Sequence, residues 1–533
     1  MRALGAAPRS AGPQVTAVIG RGAIARELAE RLRCSARPRP HTTDGLHLVA
    51  SWSGPAHLAL LRQGLRGRAW ILVEETERGL AVGPVFDKES PCFECYLRRL
   101  ASHGRPHPVP PRSNRLLPAV ETVLAWVAAG GVGAQMEILR TGGVREHRLL
   151  PVPGCACACM SVSPPVRRLG PADAVSDRIG IVRHVEVHVE ERWGVALAHA
   201  RGCRTEALHG GPGFSDGGGC DPDPARARRA AVCEALERYS GGFCPPGLVV
   251  AARDDLPAPS IAPDAHHYGG IPVSSATLLR WVRGRSLLDG SRVWVPAAAV
   301  FVPYRCAETE PPASRTSSEG LAAGPDLRFA VQRAALETVE RDAFMRAWRY
   351  GRPVRGVPTG AMEVPGLHLA QIPAPTGAAV VAAFIEDASP PFTAVGLAGR
   401  LRLPEAARAA TLEALAGRVF AERMLDAESA GGAGAVPAPH SARYHRYLHA
   451  TDARLRAARH RWLHPARLAQ RVETSWTGLV RRLPANAYVD LTPPDVGALG
   501  VRVARVVVDG YVGLDADAHR PRLSGDPTPH PIA

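Results

Sequence analysis

The chain has 533 residues, 46% of them hydrophobic and 22% charged, proportions that exclude a disordered chain and suggest two to four domains with sizeable cores. Its formal charge of +15 rests almost entirely on arginine scattered among Ala, Gly and Pro, and aromatic residues are only 5%; a nucleic-acid binder would gather basic and aromatic side chains on one element, so acidic partners such as phosphates fit better. The N-terminus lacks the apolar stretch of a secretory signal and no apolar run approaches a membrane span, so a cytoplasmic protein without membrane contact is expected, its eleven cysteines serving as thiols or metal ligands rather than disulfides.

Residues 1–14 read as a flexible N-terminus. From Val15 a short apolar strand turns on Gly20 and Gly22 into a helix predicted to end near Arg33, a Rossmann-like opening. No acidic residue stands at the end of a second strand to hold a ribose, so the glycines are expected to let strand and helix pack closely. Apolar segments continue through Ala69–Val73 and a helix from Leu116 to Ala129, giving a small α/β domain over residues 15–160 that closes at a cysteine run. Pro-rich residues 161–176 read as a linker. An alternating strand over Ile181–Val189 opens a large second domain, residues 177–533, in which Ala430–Pro439 is a predicted loop. The predicted class is α/β (α+β).

Two pentads in this second domain carry the sharpest chemical pattern: Glu234-Ala-Leu-Glu237-Arg238 and Glu337-Thr-Val-Glu340-Arg341. Each lies in a strong helical pattern, Ala227–Tyr239 and Phe329–Trp348, without internal Gly or Pro. Glutamates three apart share a helix face, so each pentad projects two carboxylates together. One such pentad reads first as a solvated helix face. Two, on helices placed side by side, would gather four carboxylates, an arrangement that needs cations between them. Hard divalent cations bridging to nucleotide phosphates answer that need, with Arg238 and Arg341 meeting phosphate or steadying a carboxylate. A di-iron bundle would use Glu-x-x-His, and neither pentad contains His.

The residues around the pentads resemble the YcaO family. Asp223-Pro224 through Ala227-Arg228 to Glu234–Ser240 is similar to its first nucleotide-binding motif, and Ser318-Glu319-Gly320 to Gly324 with Ala335–Ala343 to its second. Thr411-Leu-Glu413-Ala-Leu415 to Arg418 and Tyr488-Val-Asp490 to Asp495-Val496 resemble later landmarks. The resemblance implies ATP, with Mg²⁺ held by Glu234, Glu237, Glu337 and Glu340. The chain departs from the family pattern at Ala230, where Ser is usual, at Glu319, where Asn is usual, and at Gly217-Gly-Gly219-Cys220, which lacks a nearby lysine.

A second pattern pairs Cys92-Phe-Glu-Cys95 with Cys155-Ala-Cys157-Ala-Cys159. Such spacing can supply a closed Cys₄ zinc site using two of the last three, although a redox pair or core thiols would give the same letters. Gly83-Pro84, Cys92, Cys95 and Arg98 resemble the zinc-bearing part of the E1-like domain often fused to or paired with azoline-forming YcaO proteins, which implies a structural Zn²⁺ in residues 15–160. The third pattern is the ending, Pro527-Thr-Pro529-His-Pro531-Ile-Ala533. Alternating prolines impose an extended tail. A disordered end would look the same, but this one resembles the Pro-x-Pro-x-Pro ending of azoline-forming members, where the tail enters the active site; the resemblance thus gives Pro527, Pro529, Pro531 and Ala533 a place in the catalytic wall.

The resemblance implies an ATP-dependent cyclodehydratase that closes Cys, and with it Ser or Thr, of a ribosomally made precursor peptide into azolines by phosphorylating the backbone amide oxygen. A YcaO enzyme forming thioamides or amidines, or a non-catalytic scaffold of the synthetase complex, is the alternative. With only about 14 residues ahead of Val15, no room is expected for the leader-binding module that usually precedes the E1-like part. The implied partners are therefore the precursor peptide (leader plus core), a separate leader-binding protein of E1-like (ThiF-like) type and an azoline dehydrogenase, with no nucleic acid. The identity of the precursor and the oligomeric state stay open, a homodimer included.

Overall fold

The computed structural model describes residues 15–37, 45–87, 91–105, 107–113, 115–120, 123–124, 133–155, 169–209, 215–257, 259–268, 270–308, 310–312, 317–359, 364–388, 391–431, 459–470, 473–515, 522–526, 528 and 530–532. The expected flexible N-terminus, the first half of the predicted linker, and all but the first two residues of the predicted 430–439 loop lie outside them. Two compact units emerge. The first comprises Met1–Val185, Ala200–Asp216 and Pro493–Val501, the second Glu186–His199, Gly217–Thr492 and Arg502–Ala533. No helix of the described residues is long and apolar enough to cross a membrane.

The first unit is built on a seven-stranded sheet. Its strands are β1 (Val15–Ile19), β2 (Ser35–Arg37), β3 (Leu46–Val49), β4 (Trp70–Glu75), β5 (Gly79–Phe86), β6 (Ala134–Leu139) and β7 (Val144–Arg148), in the order β2-β1-β3-β4-β5-β6-β7. The first four run parallel because α1 (Ala23–Arg31) and α2 (Pro55–Gly64) carry the chain back between them; β5 to β7 are antiparallel. Gly20 has φ +151°, and a Cβ there would stand 2.7 Å from that of Ser51, so this glycine is required for close packing at the end of the strand. α3 (Phe93–Ser102) starts at Cys92, its N-cap, and carries Cys95 in its first turn. Its Arg99 pairs with Asp495 at 2.6 Å, both wholly buried, while Arg178, Gln135 and its Tyr96 enclose the buried Glu74 carboxylate.

The strands β8 (Val182–Glu190), β9 (Val195–Gly202) and β10 (Gly217–Asp221) form a three-stranded sheet in the order β10-β9-β8. The second unit contains two further antiparallel sheets. One joins β11 (Val249–Ala251), β12 (Leu279–Arg285), β13 (Arg292–Pro296), β14 (Leu321–Gly324) and two late strands, β19 (Asn486–Asp490) and β20 (Arg502–Val508), as β11-β12-β19-β20-β14 with β13 on β12. The other runs β15 (Arg355–Val357), β16 (Leu367–Ile372), β17 (Ala379–Ala388), β18 (Pro391–Arg400).

Among the described residues three long helices tie these sheets together: α4 (Pro224–Gly241), α5 (Leu327–Tyr350) and α6 (Leu403–Gly431). α5 lies between the two larger sheets, and many of its residues, Glu340, Asp342 and Arg349 among them, are buried. Its Ala330, Val331, Ala334 and Ala335 pack on Ala504, Val506 and Val508 of β20, and its Leu336, Val339, Phe344 and Ala347 on Ile372, Val380, Ala382, Phe384 and Leu397. The alanine face permits the close approach. α6 covers the other side of β17 and β18 through Ala406, Ala410, Ala414 and Leu415.

Candidate active site

α4 starts where Asp223 accepts a hydrogen bond from the Ala225 N–H at 2.8 Å and Pro224 takes the first helical position. α5 starts at Asp326, which accepts from the Phe329 N–H at 2.8 Å, and stops at Gly351 with φ +63°. Both ends are thus set by local chemistry, and they bring the two pentads to one place: Glu237 of α4 feels the charges of both Glu234 and Glu337.

Backbone amides from three different strands hold these carboxylates. Gly218 of β10 donates to Glu234 at 2.7 Å, Ala323 of β14 to Glu237 at 2.9 Å, and Gly399 of β18 to Glu340 at 2.7 Å. Small residues make this possible: a Cβ on Gly399 would lie 2.6 Å from the Leu336 carbonyl, and one on Gly217 or Gly219 would collide with the backbone of α4. The glycine run that lacks a lysine therefore seats β10 on the helix.

Arginines interleave with the acids. Arg238 pairs with Glu234 at 2.6 Å, and Arg341 lies 3.7 Å from Glu337, 3.3 Å from Glu340 and 3.9 Å from Glu413. Burial works against the Arg341 charge, but Glu340, Glu413 and Glu337 outweigh it and hold the guanidinium above its usual range. Burial, with Glu337 and Glu234 beside it, pushes Glu237 well above the ordinary carboxylate range, and burial with Glu340 and Glu319 nearby pushes Glu337 up to about 7. Glu340 Oε1 and Arg341 Nε and Nη1 are buried without a hydrogen-bond partner. Carboxylates that repel one another, next to a buried guanidinium whose Nη1 is left open, fit a hard cation bridged to an anion with several oxygens.

Some members of the site escaped the sequence analysis or entered it only as departures. Glu319 accepts from Leu514 N–H at 2.7 Å and from Ser317 Oγ at 2.9 Å. Arg505, on β20 and 6% exposed, donates to the carbonyls of Ala299 and Ser317, and burial pulls its pKa down to about 10. An apolar strand with Arg505 flanked by Ala504 and Val506 was the available signal, but only the sheet shows which way that side chain points. Glu319, Thr338, Arg341, Arg505, Arg522 and His267 line a cavity of about 430 Å³. The other noted departure, Ala230, is exposed on α4.

The tail lies against the second half of α5. Arg349, wholly buried, pairs with Asp515 and donates to the Asp526 carbonyl at 2.6 Å; Trp348 Nε1 donates to the Thr528 carbonyl at 2.8 Å. His530 reaches the Asp515 carbonyl and meets Phe344 edge to face at 6.4 Å, Pro531 is buried, and Ile532 joins the core beside Phe344 and Trp348. The described tail residues thus run back along α5 toward the pentad. Pro527, Pro529 and Ala533 lie outside the described residues.

In the first unit, Cys92, Cys95 and Cys155 come together. Cys92 Sγ is 3.8 Å from that of Cys95 and 3.6 Å from that of Cys155, and the three thiols lie within 4.8 Å of one another. Cys157 and Cys159 lie outside the described residues.

Comparison with known proteins agrees with this geometry. The family model described as YcaO cyclodehydratase, ATP- and Mg²⁺-binding, matches residues 218–512, which is more than half of the chain and includes both pentads. An uncharacterised protein of Methanothermobacter thermautotrophicus is 30% identical over 166 residues, 31% of this chain and 42% of that protein's length. The fold resembles a heterocyclase solved in complex with substrate and cofactor, with TM-score 0.71 and 17% identity over 94% of this chain and 81% of that one. It also resembles the heterocyclase TruD, with TM-score 0.58 and 19% identity over 94% of this chain and 80% of that one. With its two pentads inside the matched stretch, the chain belongs to the YcaO cyclodehydratases, a family of ATP- and Mg²⁺-binding enzymes.

Proposed function

We propose that the chain cyclodehydrates Cys, and Ser or Thr, residues of a ribosomally made precursor peptide to thiazolines and oxazolines. The observation that carries this reading is the mutually repelling set Glu234, Glu237, Glu337 and Glu340 around the buried Arg341, whose Nη1 has no hydrogen-bond partner. These four glutamates would hold Mg²⁺, and Arg341, with Arg238 in support, would neutralise phosphate oxygens. Arg505 and Arg522, which line the cavity with Arg341, present further positive charge to the same space.

The substrate thiol or hydroxyl adds to the preceding amide carbon, forming the ring and leaving the former carbonyl oxygen as a poor leaving group. Bound ATP with Mg²⁺ supplies the phosphoryl group that this oxygen takes, so that phosphate departs while the ring nitrogen loses its proton and the C=N bond forms. The chain's contribution is positioning and charge neutralisation. The tail, with Pro527, Pro529, Pro531 and Ala533, is proposed to complete the wall in which the peptide sits.

Cys92, Cys95 and Cys155 are proposed to hold a structural Zn²⁺ with Cys157 or Cys159 as the fourth thiolate. The Cys92–Cys95 and Cys92–Cys155 sulfur separations of 3.8 and 3.6 Å are close to the roughly 3.8 Å edge of a tetrahedron with Zn–S of about 2.3 Å. A separate leader-binding protein would deliver the precursor and raise its effective concentration at the site, and an azoline dehydrogenase could then oxidise the product rings. The test uses the peptide encoded beside this chain's coding sequence: ATP consumption should depend on that peptide, each ring should lose one water by mass spectrometry, and addition of the leader-binding partner should raise weak activity. ATP consumption without ring formation, with partner present, would remove cyclodehydration in favour of another amide chemistry.

A further inference from the structure

His267 lines the same cavity as Arg341, Arg505 and Arg522. It sits on a single helical turn, Ala265–Tyr268, that is tied down on both sides. Asp264 accepts the His266 N–H on Oδ1 at 2.9 Å and the His267 N–H on its carbonyl at 3.0 Å, the Ala265 carbonyl accepts the Gly270 N–H at 2.9 Å, and Tyr268 is wholly buried. A turn closed by its own aspartate in this way holds the imidazole in place. His267 Nδ1 is buried without a hydrogen-bond partner. A histidine kept for the core normally uses its ring nitrogens to satisfy neighbours; this one satisfies none through Nδ1 and shares its cavity with three guanidinium groups. Burial, with Arg522, Arg505 and His266 adding to it and Asp264 opposing, holds the ring down to about 4, so it is a neutral proton acceptor at physiological pH.

We propose that His267 is the catalytic base of ring closure, its imidazole taking the proton of the substrate thiol or hydroxyl as that atom attacks the amide carbon; the inference rests on the cyclodehydratase reading above. The electron pair of the S–H or O–H bond becomes the new bond to carbon, and the carbonyl π pair moves onto oxygen, which takes the phosphoryl group of ATP. The phosphate that later departs carries off the ring-nitrogen proton, and the imidazolium returns its own to solvent, so one proton is released per ring. Neighbouring groups suit this task less well. Glu319 already accepts from Leu514 N–H and Ser317 Oγ, Asp264 from His266 N–H, burial pushes the Tyr511 phenol up to about 12, and the arginines carry no acceptor. The imidazole of the free protein is a weak base, and the same arginines correct that. Phosphate oxygens drawn to Arg505 and Arg522 offset the charges that hold the ring down, so its proton affinity rises once nucleotide is bound. Proton removal then waits for the phosphoryl donor that must trap the oxygen.

The test uses the full chain with its leader-binding partner and the precursor encoded beside it. His267→Gln and His267→Asn keep a polar side chain that takes no proton at neutral pH. Each should form Cys rings on the order of 10²–10³-fold more slowly at pH 7, with melting temperature and KM for ATP close to wild type. Their rates should climb about tenfold per pH unit toward the thiol's own pKa of about 8.5, because solvent then removes the proton, whereas the wild type should level off at lower pH. A histidine with a purely structural role would give a loss that is uniform in pH. A second readout needs no turnover. In wild type labelled at the histidine rings, the His267 signal, identified by its loss in either variant, should titrate near about 4 in the free protein and move up when Mg²⁺ and a non-hydrolysable ATP analogue are added. Wild-type ring formation in the variants, a loss equal at every pH, or a titration unmoved by the nucleotide analogue overturns the inference and leaves the cyclodehydratase reading standing. A wild-type chain that forms no rings overturns that reading, and the inference with it.

Discussion

Replacing Glu337 by Gln keeps the side chain's shape and removes one charge from the carboxylate cluster. Burial, reinforced by Glu340 and Glu319 and only partly offset by Arg341, raises this carboxyl from 4.5 to about 7, which corresponds to roughly 3 kcal/mol at about 1.4 kcal/mol per tenfold change in proton affinity. The side chain is 29% exposed, so solvent screening brings the expected effect to about 1–3 kcal/mol. Between about pH 4.5 and 7 the folded protein keeps a proton that the unfolded chain releases, so stability falls as pH rises through that window, and the loss is complete above it. In chelator at about pH 8, Glu337→Gln should therefore be the more stable protein by about 1–3 kcal/mol in urea unfolding, and the difference should vanish near pH 4.5. Adding Mg²⁺ with ATP should reverse the order, because the wild type gains binding energy that the variant lacks. Peptide-dependent ATP consumption should drop on the order of 10²–10³-fold, the scale of losing one preorganised charge. A variant less stable than wild type in chelator at pH 8, or one with wild-type turnover, would refute the assignment of Glu337 to a cation site.

Gly399→Ala places a Cβ 2.6 Å from the Leu336 carbonyl and shifts the amide that holds Glu340; it should cost about 1–3 kcal/mol in thermal unfolding and reduce turnover more than that loss explains, whereas unchanged turnover would show that the Glu340 contact is dispensable. Freshly purified reduced protein should contain about one zinc per chain, and Cys92→Ser should lower that content and destabilise the first unit; metal analysis finding none would end the zinc proposal. Deleting residues 527–533 should abolish cyclisation and, because Ile532 is 7% exposed in the core, also lower stability by about 1.5–3 kcal/mol; a truncated protein with normal ring formation would return the tail to a purely structural role.

The two pentad helices were legible because their determinants are local. A capping aspartate, Pro224, and runs without Gly or Pro set Pro224–Gly241 and Leu327–Tyr350 close to their expected bounds, and a three-residue spacing alone places each pair of glutamates on one face. The alternating strand at 182–190 was legible for the same reason. What sequence spacing could not supply is which distant backbone meets each carboxylate. Gly218, Ala323 and Gly399 reach the glutamates across 16, 86 and 59 residues, and Leu514 reaches Glu319 across 195. Strand order and register decide those contacts, and both emerge only when the sheets pack on α4 and α5. Tertiary structure also changed the meaning of two residues: Glu319, a mere departure from a family pattern as a letter, is a fixed acceptor lining the cavity, and Arg505, one arginine among many, is buried with its charge beside the carboxylates. Residue type and short-range period determined the helices and the acids they present; the non-local packing of small residues, which lets strand amides touch helix side chains, decided that those acids form a site.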